Sequence, residues 1–111
     1  MKALKNDISD GKIQHRFLHP RFKKETSLAL MAGSIKYGDF NFMKGHTILQ
    51  LLDAIERHLD LYKWGEDNDP DCTERMGCSV SHLGNIGANL NMLLAQIDAG
   101  TIIDDRYKGN K

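Results

Sequence analysis

The stretch "HTILQLLDAIERHLDLYKWG", His46 to Gly65, decides the fold class. Thr47 and Gln50 have the spacing of a capping box, in which the threonine hydroxyl accepts from the backbone three residues on and the glutamine amide reaches back. Gly65 stands just past the last helical residue, where a left-handed backbone ends a helix. Between them, Ile48, Leu52, Ile55, Leu59 and Tyr62 recur at the three-to-four spacing that buries one stripe of a helix, and Leu51 widens that stripe. Asp53, Arg57, Asp60 and Trp64 fall on the opposite side, and His58 sits at the flank of the stripe.

Working outward, the same period predicts two more helices. One starts near Ser79 or Ser81, either of which can cap it, and ends near Ala99 before Gly100. Its expected buried stripe is Leu83, Ile86, Leu90, Leu93, Leu94 and Ile97. The other runs from about Pro20 to Ser34, with Leu28, Met31 and Ile35 on one face, and Lys36 to Gly45 reads as a loop. No apolar alternation argues for strands. The expectation is an all-α fold, a compact bundle of three main helices, with residues 1–15 a flexible N-terminal arm and residues 16–111 one helical domain. Leu49, Leu61 and Trp64 lie outside the stripe of the middle helix. That surface fits either self-association or a core that wraps further round the helix. A core of three helices is thin at this size, so a homo-oligomer is expected.

Composition narrows the function classes. The formal net charge is zero, which argues against an extended nucleic-acid footprint. No apolar run approaches the roughly 18 residues of a membrane span. The N-terminal "MKALKNDISDGK" lacks the apolar centre of a signal peptide, so a cytoplasmic chain is expected. In such a reducing compartment Cys72 and Cys78 are expected to be free thiols.

Two groups of residues could carry chemistry. Five carboxylates (Asp60, Glu66, Asp67, Asp69, Asp71) fall within twelve residues at the end of the middle helix. Asp53 and Glu56 are three apart, as are Glu66 and Asp69. Such spacing suits Mg²⁺ or Mn²⁺, which take oxygen ligands and complete their shell with water or phosphate. It also suits a solvated helix end. The second group is a polar stripe, His82, Asn85 and Asn89, beside the apolar stripe of the last helix. If the two helices pack antiparallel, His58 can meet it. Imidazoles and amides in a crevice can read phosphate, ribose or base; they can equally form a packing network.

The segments "SIKYGDFNFMKG", "LLDAIERHLDLYKWGEDNDPD", "SHLGNIGANLNMLL" and "GTIIDDR" occur in an order that resembles a group of small, mostly phage-encoded proteins, similar to the N-terminal domain of dATP/dGTP diphosphohydrolases. The resemblance covers about Arg16 to Arg106. It points to Lys36, Tyr37, Gly38 and Asn41, then Asp53, Arg57 and His58, then Glu66, Asp67 and Asp69, then His82 and Asn89, and finally Asp104, Asp105 and Arg106. Three features depart from the pattern. Phe42 stands where tryptophan is frequent, Asn85 where a second histidine is frequent, and the loop from Cys72 to Gly77 is longer than the usual turn.

The resemblance implies a nucleotide-processing protein of the host cytoplasm. The first functional expectation is metal-dependent hydrolysis of a deoxynucleoside triphosphate to the monophosphate and pyrophosphate. His58 and His82 would act as base or phosphate contact. Lys36, Tyr37, Asn41, Arg57, Asn85, Asn89 and Arg106 would bind the dNTP, and Asp53, Glu66 and Asp69 would hold Mg²⁺ or Mn²⁺. The second is a non-catalytic protein that sequesters a nucleotide or a nucleotide signal of host defence.

Overall fold

The computed structural model describes residues 11–109, so most of the arm expected over 1–15 lies outside the described residues. Among the described residues the chain is all-helical, without a strand. It has four α-helices, one more than the sequence suggested: α1 (Pro20–Tyr37), α2 (Ile48–Lys63), α3 (Pro70–Met76) and α4 (His82–Ala99). Two single 3₁₀ turns, His15–Phe17 and Asn41–Met43, stand before and after α1.

Each helix begins where a side chain satisfies its free N–H groups. His19 Nδ1 accepts from Arg21 N–H at 3.0 Å ahead of Pro20 in α1. The capping box of α2 is formed on both sides, between Thr47 and Gln50. Asp69 Oδ1 accepts from Cys72 N–H at 3.0 Å, and Pro70 follows at the first helical position of α3. Ser81 Oγ accepts from Gly84 N–H at 2.9 Å and starts α4. Helix α1 runs past its expected end near Ser34 to Tyr37 and stops at Gly38.

The segment Cys72–Gly77, read as a loop, is most of α3. Asp69, Pro70 and Gly77 together are a cap, a first-turn proline and a left-handed stop, and they enclose a helix too short to show a period.

Helix α4 lies at the centre, packed against both α1 and α2. Its inward face corrects the expectation. Leu83, Leu90, Leu94 and Ile97 are exposed, Leu94 at 66%, while His82, Gly84, Gly87, Ala88, Asn89 and Gln96 are buried. Small residues explain the inversion. A Cβ at Gly84 would collide with the Glu25 carbonyl oxygen, and one at Gly87 with the Thr26 hydroxyl, so α1 approaches on the glycine face and no leucine fits between. Ser81 Oγ then donates to Glu25 Oε1 at 2.6 Å. The apolar centre is correspondingly small: Ala29, Val80 and Ala88, with Leu28, Leu30, Cys72 and Met76 against it. On α2, Ile48 and Leu51 are buried, but Leu59 and Tyr62 at the far end of the predicted stripe are exposed. On α1, Ala29 and Ala32 face inward and Met31 and Ile35 do not.

Two isolated bridges tie the connections down. Asn68 pairs with Ser81, which fixes the α2–α3 corner to the start of α4. Thr47 pairs with Ile103, which brings the C-terminal tail back to the start of α2. Gln96, fully buried at 0% exposure, accepts from His46 N–H at 2.8 Å and donates to the Phe42 carbonyl at 3.0 Å. That amide fastens the α1–α2 connection onto α4.

Candidate functional site

The acidic corner is positioned by backbone. Asp69 N–H donates to the Val80 carbonyl at 2.8 Å, and His82 N–H donates to the Asp67 carbonyl at 2.9 Å. The corner therefore lies along the first residues of α4, and Glu66 and Asp69 arrive beside His82. Helix α2 presents His58 from the other side. The two imidazoles meet with Nδ1 atoms 2.8 Å apart. His82 Nε2 lies 2.7 Å from Glu66 Oε1, and His58 Nδ1 lies 4.0 Å from Asp69 Oδ2.

These contacts assign the protons. An ionised carboxylate only accepts, so His82 Nε2 carries hydrogen. In neutral His82, Nδ1 is then a lone pair, and the hydrogen between the rings belongs to His58 Nδ1. His58 Nε2 is left unprotonated, a base. Burial lowers the pKa of His58; the neighbouring His82 and Arg57 add to that, and Asp69 opposes them. His82 is 1% exposed and its two ring nitrogens are both engaged, one by His58 and the other by Glu66, so its ring is held from both sides.

A cavity of about 490 Å³ opens beside this pair, walled by all four helices. Its wall includes His58 and Asp69. Lys36, Tyr37 and Asn41 come to it from the end of α1 and the turn that follows, Arg57 from α2, and Asn85 and Asn89 from α4. His82 and Glu66 stand behind the wall, touching it through His58. Asn85 Nδ2 donates to the Ser81 carbonyl and Asn89 Nδ2 to the Asn85 carbonyl, so each amide is anchored by its nitrogen. A larger depression, of about 910 Å³ between α1, α2 and α4, contains of the residues the resemblance points to only Asp67.

Two expected residues are placed elsewhere. Asp53 is exposed on α2 and is not part of the cavity wall. Arg106 is also outside it, its guanidinium held by Asp104 at 2.9 Å. Hydrogen bonds from Arg106 and Lys108 hold the Asp104 carboxyl far below the usual carboxylate range. Asp105 Oδ1 accepts from Leu49 N–H at 3.0 Å in the first turn of α2.

Sequence reasoning missed Arg75. This residue of α3 lines the cavity, is paired with Asp71, and donates to the Ala32 carbonyl at 3.3 Å. Its signal was the Asp69–Pro70 start with Gly77 as stop; once these define a helix, Asp71 and Arg75 fall at i and i+4. Cys72, also in the wall, has its thiol pKa pushed up by burial and by Asp69, so it is a packing group rather than a thiolate nucleophile. Both cysteines are free.

Residues 2–106 match the family model described as dATP/dGTP diphosphohydrolase, N-terminal. The chain belongs to that family. No curated protein and no solved structure matches it. In this member of the diphosphohydrolase N-terminal family, three of the four resembling segments meet at the cavity and its histidine pair. The fourth, Asp104–Arg106, closes on itself and on the start of α2. Among the described residues, one group has the chemistry and closeness for a metal ion: His58, Asp69 and His82, whose ligand atoms all lie within 4.8 Å of one another. Among the described residues no helix is long and apolar enough to cross a membrane.

Proposed function

We propose that the cavity binds a deoxynucleoside triphosphate, dATP or dGTP first among them, and that the chain hydrolyses it to the monophosphate and pyrophosphate. The observation that carries this reading is the composition of one wall. Three cationic side chains (Lys36, Arg57, Arg75), two anchored amides and an imidazole backed by a carboxylate border the same space. Lys36 and Arg57 neutralise phosphate oxygens, Arg57 through a planar fork that matches them, and Arg75 joins them by exchanging its Asp71 partner for phosphate. The amide oxygens of Asn89 and of Asn85, the latter held in the chain only by a long hydrogen bond from the Cys72 thiol, accept from base or ribose, and Tyr37 offers a ring for stacking. His58 Nε2 takes the proton of the attacking water, and Glu66, acting through His82, holds the ring in the required tautomer. The water oxygen bonds to phosphorus, the bridging P–O bond breaks, and pyrophosphate leaves with that electron pair. A divalent ion, Mg²⁺ or Mn²⁺, supplies charge neutralisation and a water of lowered pKa. Mg²⁺ commonly keeps several waters and binds through substrate phosphates with only one or two carboxylates, a role Asp69 can fill.

A second reading is non-catalytic capture of a nucleotide or nucleotide signal. It is supported by Asn85, an amide where the family pattern often has a histidine that could act in chemistry. The resemblance supports a phage-encoded chain acting in the host cytoplasm. The exposed leucine face of α4 supports self-association with a second copy.

The test is incubation of the purified chain with each dNTP and Mn²⁺, followed by chromatography of the products. Monophosphate and pyrophosphate in equal amounts, lost in His58→Ala, are expected. Intact nucleotide that co-purifies and is released by heat would transfer the conclusion to the binder. A panel that is neither bound nor cleaved removes both readings.

A further inference from the structure

We propose that His58, His82 and Asp69 hold one transition-metal ion of borderline softness, for which Zn²⁺ is the best match. The inference rests on the reading above for the purpose of the site, but its evidence is side-chain geometry and its test uses no nucleotide.

The three ligand atoms are already close, within 4.8 Å of one another. Two imidazole nitrogens on a tetrahedral ion at ~2.0–2.1 Å stand about 3.3 Å apart. The observed Nδ1 pair is at 2.8 Å and the Asp69 oxygen at 4.0 Å from His58 Nδ1. One separation must open by about 0.5 Å, a second close by about 0.7 Å, and the third, within 4.8 Å, close by up to about 1.5 Å to reach that geometry. Such adjustments are within side-chain rotation.

The surroundings make the stronger case. A metal-bound histidine ordinarily donates its other nitrogen to a carboxylate, which fixes the ring and raises its basicity. Glu66 already accepts from His82 Nε2 at 2.7 Å. The second oxygen of Asp69 is committed to the Cys72 N–H, so the carboxylate is aimed by the helix it caps. His58 binds the ion as a neutral ligand once its Nδ1 hydrogen moves to Nε2, so the charge on the ligand set does not change; Nε2 is then a donor, and the base role given to His58 above belongs to the zinc-free chain. The donor set decides the ion. Two imidazoles and one carboxylate suit Zn²⁺ and its transition-metal neighbours, whereas Mg²⁺ prefers oxygen throughout. The oxygen-only alternative lacks its members, because Asp53 is not in the cavity wall and Glu66 is engaged with His82. Three protein ligands leave one coordination position for water or substrate, the pattern of catalytic rather than structural zinc.

The experiment starts with the whole chain stripped by a chelator, then dialysed against micromolar Zn²⁺ in millimolar Mg²⁺ and analysed for both elements. One equivalent of Zn²⁺ is expected to remain. Co²⁺ titrated into the stripped chain should give the visible bands of a tetrahedral nitrogen–oxygen site. Asp69→Asn keeps the helix cap, since asparagine caps as well as aspartate, and should weaken Zn²⁺ binding at least about tenfold. Glu66→Gln should weaken it about tenfold. Zinc that washes out, or wild-type affinity in both Asp69→Asn and His58→Gln, overturns the proposal. A chain that keeps Zn²⁺ yet leaves every dNTP intact upholds the ion and removes only the hydrolysis; cleavage without retained Zn²⁺ does the reverse.

Discussion

His58 is the residue whose charge the fold penalises, and the penalty has a sign. An unfolded imidazole titrates near 6.5, and burial beside His82 and Arg57 lowers the folded value. Between those two values the unfolded chain takes the proton first, so stability falls as the pH drops below about 6.5 and levels off below the folded value. Above 6.5 both states are neutral at this position and it contributes no slope. Thermal unfolding of chelator-treated chain from about pH 8 to about pH 5 should show that loss, and His58→Gln should flatten it. In the same variant hydrolysis should fall about 10²–10⁴-fold, the usual worth of a general base, with the KM for dNTP little changed. If turnover survives in His58→Gln, the base lies elsewhere. At this scale the sequence was informative in one particular way. His82, Asn85 and Asn89 stood out because polar groups were aligned beside a leucine stripe, and His58 because it flanked one. What could not be read was that Glu66 would lie against His82 Nε2, since that depends on the Asn68–Ser81 bridge, which lays the α2–α3 corner along the start of α4.

At the scale of the element, α2 was legible and α4 was legible only in its ends. The capping box and Gly65 bound α2 with local signals, and local signals survive any packing. For α4 the caps were equally clear, but the face was inverted. Reading leucines as the inside assumes that the largest apolar groups are the ones covered. Here Gly84 and Gly87 admit α1 so closely that the contact is made by backbone and by Thr26. Gly84→Ala puts a methyl group against the Glu25 carbonyl, which is backbone and cannot swing aside, and should cost about 1–3 kcal/mol. A urea midpoint unchanged from wild type would show that α1 and α4 are less tightly apposed. Gln96→Ala tests the other end of α4. It strands the Phe42 carbonyl and leaves His46 N–H with the Lys44 carbonyl alone, a loss of about 1–3 kcal/mol, and faster amide exchange at His46 is the specific readout. Because the same connection carries Asn41 and Phe42 into the cavity wall, nucleotide affinity should weaken with it.

At the scale of the whole molecule, the face that α4 leaves uncovered demands an occupant. Leu83, Leu90 and Ile97 recur every seven residues, with Leu94 beside them and the half-buried Ile86 and Leu93 between. That repeat has the spacing a two-helix interface would use. Asp98 is the one carboxylate of α4, and the helix has no lysine or arginine, so charge does little to oppose a second copy. The surface continues onto α2, since Tyr62 and Leu83 share one depression with Phe22 and Leu28. Four side chains alone fall short of the roughly 800 Å² per partner of a standard interface; the continuous surface brings it within reach. Trp64, at 86% exposure the more conspicuous candidate from sequence, is a single ring at the end of α2. Light scattering at about 100 μM chain is therefore expected to give a dimer or larger species. Leu90→Glu with Leu94→Glu should reduce it to a monomer, and Trp64→Ala should leave it unchanged. The glutamates replace groups already exposed in the single chain, so its helical circular dichroism should persist, and a loss of mass with helicity intact separates a broken interface from an unfolded subunit. A monomeric wild type, or a double variant with undiminished mass, would remove the seam.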